Sequence, residues 1–359
     1  MKNNFSALFK MALLVFFLAV ARGPDHLAQK DAVENAPVKQ IKIADAVLAN
    51  LKNGDYVYPR FSPDGKRLAY SNVLVETMEN TEVGLFDLQK QTKSILLNPK
   101  QAKKFAIYAA FVSDLEWLSP NRLRADISDG DVDTTSLTFN TTTRRVVKKE
   151  HYSAGEDDSV PADDSPLAKR LYANFPEIER DYIDSAFNMQ QALQIGDRGA
   201  VIQYNHADTD SNIWFLNFRT RKPELLLEEP EKDSRDFNLQ GAVEVNGDLF
   251  LIVKNKGETH FYLRRGGKVE RIAGVGFGGW FVPKFATAAK IIFLLKQPNH
   301  ESEKPSSLWH FDGRILSQVS DVPNLCDVDI DKSGKTIAFS FWNKAGKRDL
   351  SVRKLKTSF

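Results

Sequence analysis

The chain has 359 residues, 42% of them hydrophobic, and its 49 Lys and Arg against 47 Asp and Glu give a formal charge of +2. That near-neutral balance supplies no basic field to draw phosphate backbones or anionic lipid, so nucleic acid is excluded as the expected partner. The lone cysteine, Cys326, rules out an internal disulfide, and stability must come from a core that 24 Phe help to fill.

Lys2 and Lys10 precede an uninterrupted apolar run, Met11 to Val20, which Ala19-Val20-Ala21 closes. A basic start, an apolar segment of about ten residues and small residues at alternate positions make a secretory signal peptide, cleaved after Ala21. A membrane span would need roughly 20 apolar residues, about twice this run. Cleavage removes Lys2 and Lys10 and no acid, so the charge of the mature chain is +2 − 2 = 0. The chain is therefore expected in the periplasm or secreted, with no membrane span after cleavage, and residues 22–37 are expected to be a flexible segment.

Val38 to Leu48 (VKQIKIADAVL) is β-prone and precedes the first clear landmark; an amphipathic helix is the competing reading. The landmark is Tyr58 to Ser71, YPRFSPDGKRLAYS, in which Phe61, Leu68 and Tyr70 flank Pro63-Asp64-Gly65. Two alternating runs across such a turn read as a β-hairpin. The same pattern recurs at Val328 to Ser340 and, more faintly, at Pro283 to Leu295, where the turn has become Ala288-Ala289. A second landmark follows each hairpin, a strand, a turn and another strand, beginning at Thr81, Thr135, Ser211, Thr259, Ser306 and Arg348. Its aligned apolar positions are Val83, Leu137, Ile213, Phe261, Leu308 and Leu350.

Four strands in roughly 45 residues is the unit of a β-propeller blade, a small twisted sheet that buries both faces only against neighbours. The expectation is an all-β fold: one propeller over 38–359, of about six four-stranded blades. The last blade lacks its outer strand where the chain stops, and Val38 to Leu48 is expected to supply it and close the ring. The longest step, from Leu137 to Ile213, holds an insert at about 152–187. It opens with Glu156, Asp157, Asp158, Asp163 and Asp164 and continues as a helix capped by Ser165, with Pro166 at its first position and Leu167, Leu171 and Tyr172 on one side. A lid or partner arm is one reading, and a solvated acidic loop with a surface helix is the other.

The run FSPDGKRLAYS, with Phe86-Asp87-Leu88 ending a downstream strand, resembles the repeat of TolB-type (WD-like) propellers. The same unit occurs in the propellers of prolyl-oligopeptidase-type peptidases. The resemblance implies the fold and is nearly silent on activity. The α/β domain that precedes the propeller in the family's best-known member has no counterpart here, so that member's role is not implied.

No G-x-S-x-G nucleophile elbow occurs, and the six His stand apart with no H-x-H or H-x-x-x-H pair. No catalytic residue, metal site or cofactor is therefore expected. Asp126, Asp129, Asp131 and Asp133 offer oxygen ligands for calcium, but at a spacing unlike an EF-hand, and hairpin turns account for such runs as well. Asp208 and Asp210 read as turn-formers, Cys326 as a buried inert thiol, and Trp214 and Trp309 as inter-blade packing. Trp280 differs, since it follows Gly276, Gly278 and Gly279 in a connection between blades. In a propeller these connections open around the channel mouth, and the same rim would receive Tyr58, Tyr108, Tyr182, Arg235, Trp280 and Asp327. Aromatic surface with isolated charges suits an envelope protein, peptide or glycan ligand. The expected function is thus an exported binding or scaffold propeller, monomeric, with a propeller hydrolase or lyase as the alternative.

Overall fold

The structure, a computed structural model, describes residues 40–73, 81–105, 111–128, 133–153, 166–178, 180, 183, 186, 192–206, 210–229, 237–275, 280–286, 292–297, 306–313 and 315–358. All of these except Gln40 belong to one compact unit, Ile41–Ser358. No helix among them is long and apolar enough to cross a membrane.

The outermost N-terminal element is β1 (Gln40–Leu51). The first sheet holds β2 (Tyr56–Phe61), β3 (Arg67–Val73), β4 (Thr81–Asp87) and β5 (Thr92–Leu97), and a short helix α1 (Pro99–Ala102) leads out of it. The second holds β6 (Phe111–Ser119), β7 (Arg122–Ser128), β8 (Asp133–Asn140) and β9 (Arg145–Ser153). Helix α2 (Pro166–Asn174) precedes the third, β10 (Ala192–Ile195), β11 (Gly199–His206), β12 (Asp210–Asn217) and β13 (Lys222–Leu227). The fourth is β14 (Asn238–Val245), β15 (Asp248–Asn255), β16 (Glu258–Arg265) and β17 (Lys268–Val275). The rest form one seven-stranded sheet: β18 (Trp280–Ala286), β19 (Ile292–Gln297), β20 (Ser306–Phe311), β21 (Leu316–Ile330), β22 (Thr336–Trp342), β23 (Arg348–Ser358) and β1, in the order β1-β23-β22-β21-β20-β19-β18. Strand β21 serves twice: Leu316 to Ser320 pairs with β20, and Leu325 to Ile330 with β22. Apart from β1 beside β23, the strands pair antiparallel with their neighbours in sequence, so the sheets have the size and strand order of propeller blades.

Local chemistry explains the hairpins. Ser62 and Asp64 tie the β2–β3 turn, where Asp64 also accepts from the Lys66 amide (3.1 Å) and Gly65 takes φ +68°. Asp331 and Ser333 do the same before β22, with Gly334 at φ +69°. The third expected turn, Ala288-Ala289, lies outside the described residues. The six aligned apolar positions, Val83, Leu137, Ile213, Phe261, Leu308 and Leu350, are each 0% exposed. Val38 also lies outside the described residues, but the segment after it is strand β1, hydrogen-bonded beside β23, not a helix.

Packing runs from sheet to sheet through apolar clusters. One joins the first and second sheets (Val83, Leu85 and Leu96 against Leu123, Ala125 and Leu137) and one the third and fourth. Others join the fourth to β18–β20, β19–β20 to β21–β22, and β22–β23 with β1 to the first sheet. In each of the first four sheets the outermost strand carries a bulge, which skips Leu96, Val147, Leu226 and Ile272. Leu96 and Leu226 turn into the next interface and are 5% and 6% exposed, whereas Val147 is 51% exposed. The reason is the neighbouring face. Beyond Val147 the second sheet presents Arg124, Asp126, Ser136 and Thr138, linked by the Arg124–Glu116 pair (3.0 Å) and by Ser136 donating to Asp126.

The facing side of the third sheet is already covered. Leu171 of α2, Phe175, Ile183 and Ala186 pack on Ala200, Ile202, Leu216 and Phe218. The helix α2 starts at Pro166 as expected and lies on the sheet by one face: Ala168 and Leu171 are 0% exposed, as are Phe175 and Ile183 after it, while Lys169 is exposed. The insert's acidic stretch and Ser165 lie outside the described residues. Among those residues five apolar interfaces connect the sheets, and none spans the second and third. β1 completes the last quartet of strands, and among the described residues no closed ring is traced.

Candidate functional site

A network of charged side chains links the first strands of four of the quartets, β2, β6, β18 and the second half of β21. Arg60 of β2 reaches Asp327 of β21 (3.1 Å) and Asp114 of β6 (3.5 Å), while Lys284 of β18 donates to Asp327 at 2.6 Å. The Trp117 indole of β6 donates to the Arg60 carbonyl at 3.0 Å, and Asp329 accepts from the Phe61 amide at 2.6 Å. These contacts tie four innermost strands side by side a few residues from their starts. The starts of β2, β6 and β18 and the Leu325 region of β21 therefore share one end of the molecule. The last residue of β22, Trp342, and the first of β23, Arg348, pair with each other and so belong to the same end.

At that end Arg348 grips Asp55 through two guanidinium nitrogens (2.5 and 2.7 Å) and its own amide (3.1 Å), and it stacks 4.9 Å from the Trp342 ring. Burial alone would lower the Arg348 pKa, but the Asp55 bonds and charge raise it. Arg60 behaves alike, with burial opposed and outweighed by Asp327 and Asp329. Trp280 and Trp342 are 46% and 45% exposed, and Trp342 stands against the ion-paired Arg348.

Of the six residues singled out from the sequence, Tyr58, Trp280 and Asp327 fall at this end, while Tyr108, Tyr182 and Arg235 lie outside the described residues. Tyr58 sits in a bulge of β2 at φ +51°, a conformation a bulky side chain rarely adopts. Its ring packs against the core between the first and second sheets, and burial, with Asp327 next, raises its pKa. Asp327 is held between two cations at 16% side-chain exposure. Asp327→Ala would strand Arg60 and Lys284, so we expect a loss of about 2–4 kcal/mol in denaturant unfolding, with Asp327→Asn losing less.

Trp342, Arg60, Lys284 and the Asp55–Arg348 pair were not legible in the sequence as site residues. Trp342 ends the second strand of its hairpin and reads there as one more apolar strand residue. Trp309 packs across to the fourth sheet as expected, beside Phe281 (6.0 Å), whereas Trp214 stacks on Tyr204 of its own sheet (5.9 Å) and meets the insert, not a neighbouring sheet. Asp126 is engaged by Ser136 and Arg124; Asp129, Asp131 and Asp208 lie outside the described residues, and of the Asp133 and Asp210 side chains nothing is described. Cys326 is half-buried, and burial pushes its thiol up to about 11, so it stays protonated at neutral pH. Among the described residues no group of three His, Cys, Asp or Glu is placed to hold a metal ion.

No family model matches the chain, and no curated protein matches it. Among solved structures it is similar to the β-propeller domain of the Trilobed protease from Pyrococcus furiosus, at 16% identity and TM-score 0.39, covering 74% of this chain and 82% of that one. It is similar to an acylaminoacyl peptidase of Pyrococcus horikoshii, at 14% identity and TM-score 0.38, covering 81% of this chain and 50% of the peptidase. It is also similar to an oligogalacturonate lyase in complex with manganese, at 11% identity and TM-score 0.48, covering 89% and 96%.

Proposed function

We propose that the chain is an exported, monomeric β-propeller of six four-stranded blades, with β1 as the outer strand of the last. Its role is to bind an envelope protein, peptide or glycan at the end where the innermost strands begin. The observation that carries the reading is that two half-exposed tryptophans, Trp280 and Trp342, lie at that end, Trp342 against Arg348 of the Asp55–Arg348 clamp. Large rigid aromatics next to a fixed arginine are the groups that supply most of the energy of recognition. A hydrolase or lyase is supported less well, because Asp327 and Asp55 are engaged by Arg60, Lys284 and Arg348 and the Cys326 thiol is protonated. Arg235 and Tyr182 remain part of the proposed rim.

Substitution tests this directly. Trp280→Ala, Trp342→Ala and Arg235→Ala should each keep the melting temperature within a few degrees and weaken partner capture by more than roughly 1 kcal/mol. The same samples serve both measurements: envelope extract passed over immobilised chain, and a thermal melt. Normal capture by all three folded variants would move the recognition surface elsewhere, and a stoichiometric metal in the purified protein would favour the enzyme.

A further inference from the structure

Among the described residues strand β9 is the outer edge of the second sheet, and its first half, Arg145 to Lys149, carries cations only, with Glu150 next in the strand. Arg144, Arg145, Lys148 and Lys149 follow one another around Val146 and Val147, which are 42% and 51% exposed. Lys149 lies 5.1 Å from the Phe105 ring, which brings the exposed Lys103 and Lys104 beside the same strand. Of these six cations only Lys148 has an ion-pair partner, Glu150 at 2.8 Å; Lys103, Lys104, Arg144 and Arg145 have none among the described residues. On β9 the cations gather ahead of Glu150, whereas the outer strands of the third and fourth sheets set an acid among or directly beside them, with Lys222 beside Glu224 and Lys268 and Arg271 around Glu270.

Lysines on an edge are a common guard against unwanted strand addition. Here they discriminate by sign: a second copy of Arg145 to Lys149 would place cation against cation, whereas an acidic strand would meet Arg145, Lys148 and Lys149, with Lys103 and Lys104 beside them. The register places Lys149 opposite Leu137 and Lys148 opposite Thr138, so the cations splay to both faces of the sheet. A flat anionic surface cannot match both faces along the edge, but an extended segment with alternating carboxylates can.

We propose that β9 is a docking edge for an acidic extended peptide segment of a partner, which adds as a fifth strand to the second sheet. From Arg145 to Lys149 the stripe runs about 13 Å, and the backbone edge contributes affinity while Arg145, Lys148 and Lys149 select for negative side chains. This surface is separate from the tryptophan-bearing end, and its fate is independent of that reading.

The test uses the full chain and a labelled peptide, acetyl-Thr-Glu-Val-Glu-Val-Glu-Thr-amide, followed by fluorescence anisotropy. Binding should be saturable and salt-dependent, and should weaken about tenfold or more in Arg145→Glu/Lys149→Glu and in the off-strand Lys103→Glu/Lys104→Glu. The exposed Lys268→Glu on β17 should leave it unchanged. N-methylation of alternate peptide amides should abolish binding, since it removes the ladder donors and leaves the charges. Equal binding of the methylated peptide, no binding of either peptide, or binding only to phosphatidylglycerol vesicles would each overturn the proposal.

Discussion

A chain beginning at Lys52, and so lacking β1, should lose its cooperative melt or melt at least roughly 10 °C below the intact protein. Strand β1 is 12 residues long and is hydrogen-bonded beside β23 as the last strand of its sheet. Its Ile41, Ala44, Ala49 and Leu51 are 6%, 3%, 4% and 1% exposed. Ala49 and Leu51 meet Tyr56, Leu350 and Val352, so the loss opens the interface between the last and first sheets. Two fully buried branched side chains are worth about 1.5–3 kcal/mol each, before the newly exposed partners and the lost ladder are counted. The total approaches the 5–15 kcal/mol of a typical folded domain. A synthetic peptide of residues 40–51 should restore part of the melt when added in excess. A truncated chain that melts cooperatively within a few degrees of the intact one would show that β1 is dispensable.

The repeat was legible because it rests on short-range signals. Alternating apolar residues across an Asp-Gly or Ser-Gly turn specify a hairpin without tertiary help, and the six aligned positions from Val83 to Leu350 all prove buried. The helix start at Pro166 was equally local. The insert's burial was not, since Phe175, Ile183 and Ala186 gain meaning only once the apolar face of Ala200, Ile202 and Leu216 needs a cover. Nor is Val147 set apart from Leu96 or Leu226 by its own side chain; what differs is the polar face formed by Arg124, Asp126, Ser136 and Thr138 on neighbouring strands, which appears only when those strands pair.

The site shows the same limit more sharply. Asp327 was legible as a residue in a connection near an innermost strand, but its partners, Arg60 and Lys284, are 267 and 43 residues away. Nothing in the spacing announces an ion pair across such a gap. Asp327 thus joins the network that holds the innermost strands in register. Trp280 was found because glycines precede it; Trp342 lacks any such marker, and only its exposure at the same end reveals it.

The pH response of the molecule should carry the signature of Asp329. This carboxyl lies beneath the Arg60–Asp327 pair, and burial pushes its pKa up to about 6, although the Phe61 amide and Arg60 pull the other way. In the unfolded chain an aspartate titrates near 3.9. Between about pH 4 and pH 6, therefore, the folded state holds a proton that the unfolded state has released. Stability must then fall as pH rises through this window, by about 3 kcal/mol in all, and the cost stays constant above it. Asp329→Asn keeps an oxygen to accept from the Phe61 amide but removes the titration. The difference in unfolding free energy, variant minus intact chain, should climb by about that amount from pH 4 to pH 6 and then level off. Urea unfolding of both proteins at unit pH steps measures it, and subtraction cancels the titration of every other group. Parallel profiles would mean that Asp329 is ionised throughout, held as a fourth charge in the network with Arg60, Lys284 and Asp327.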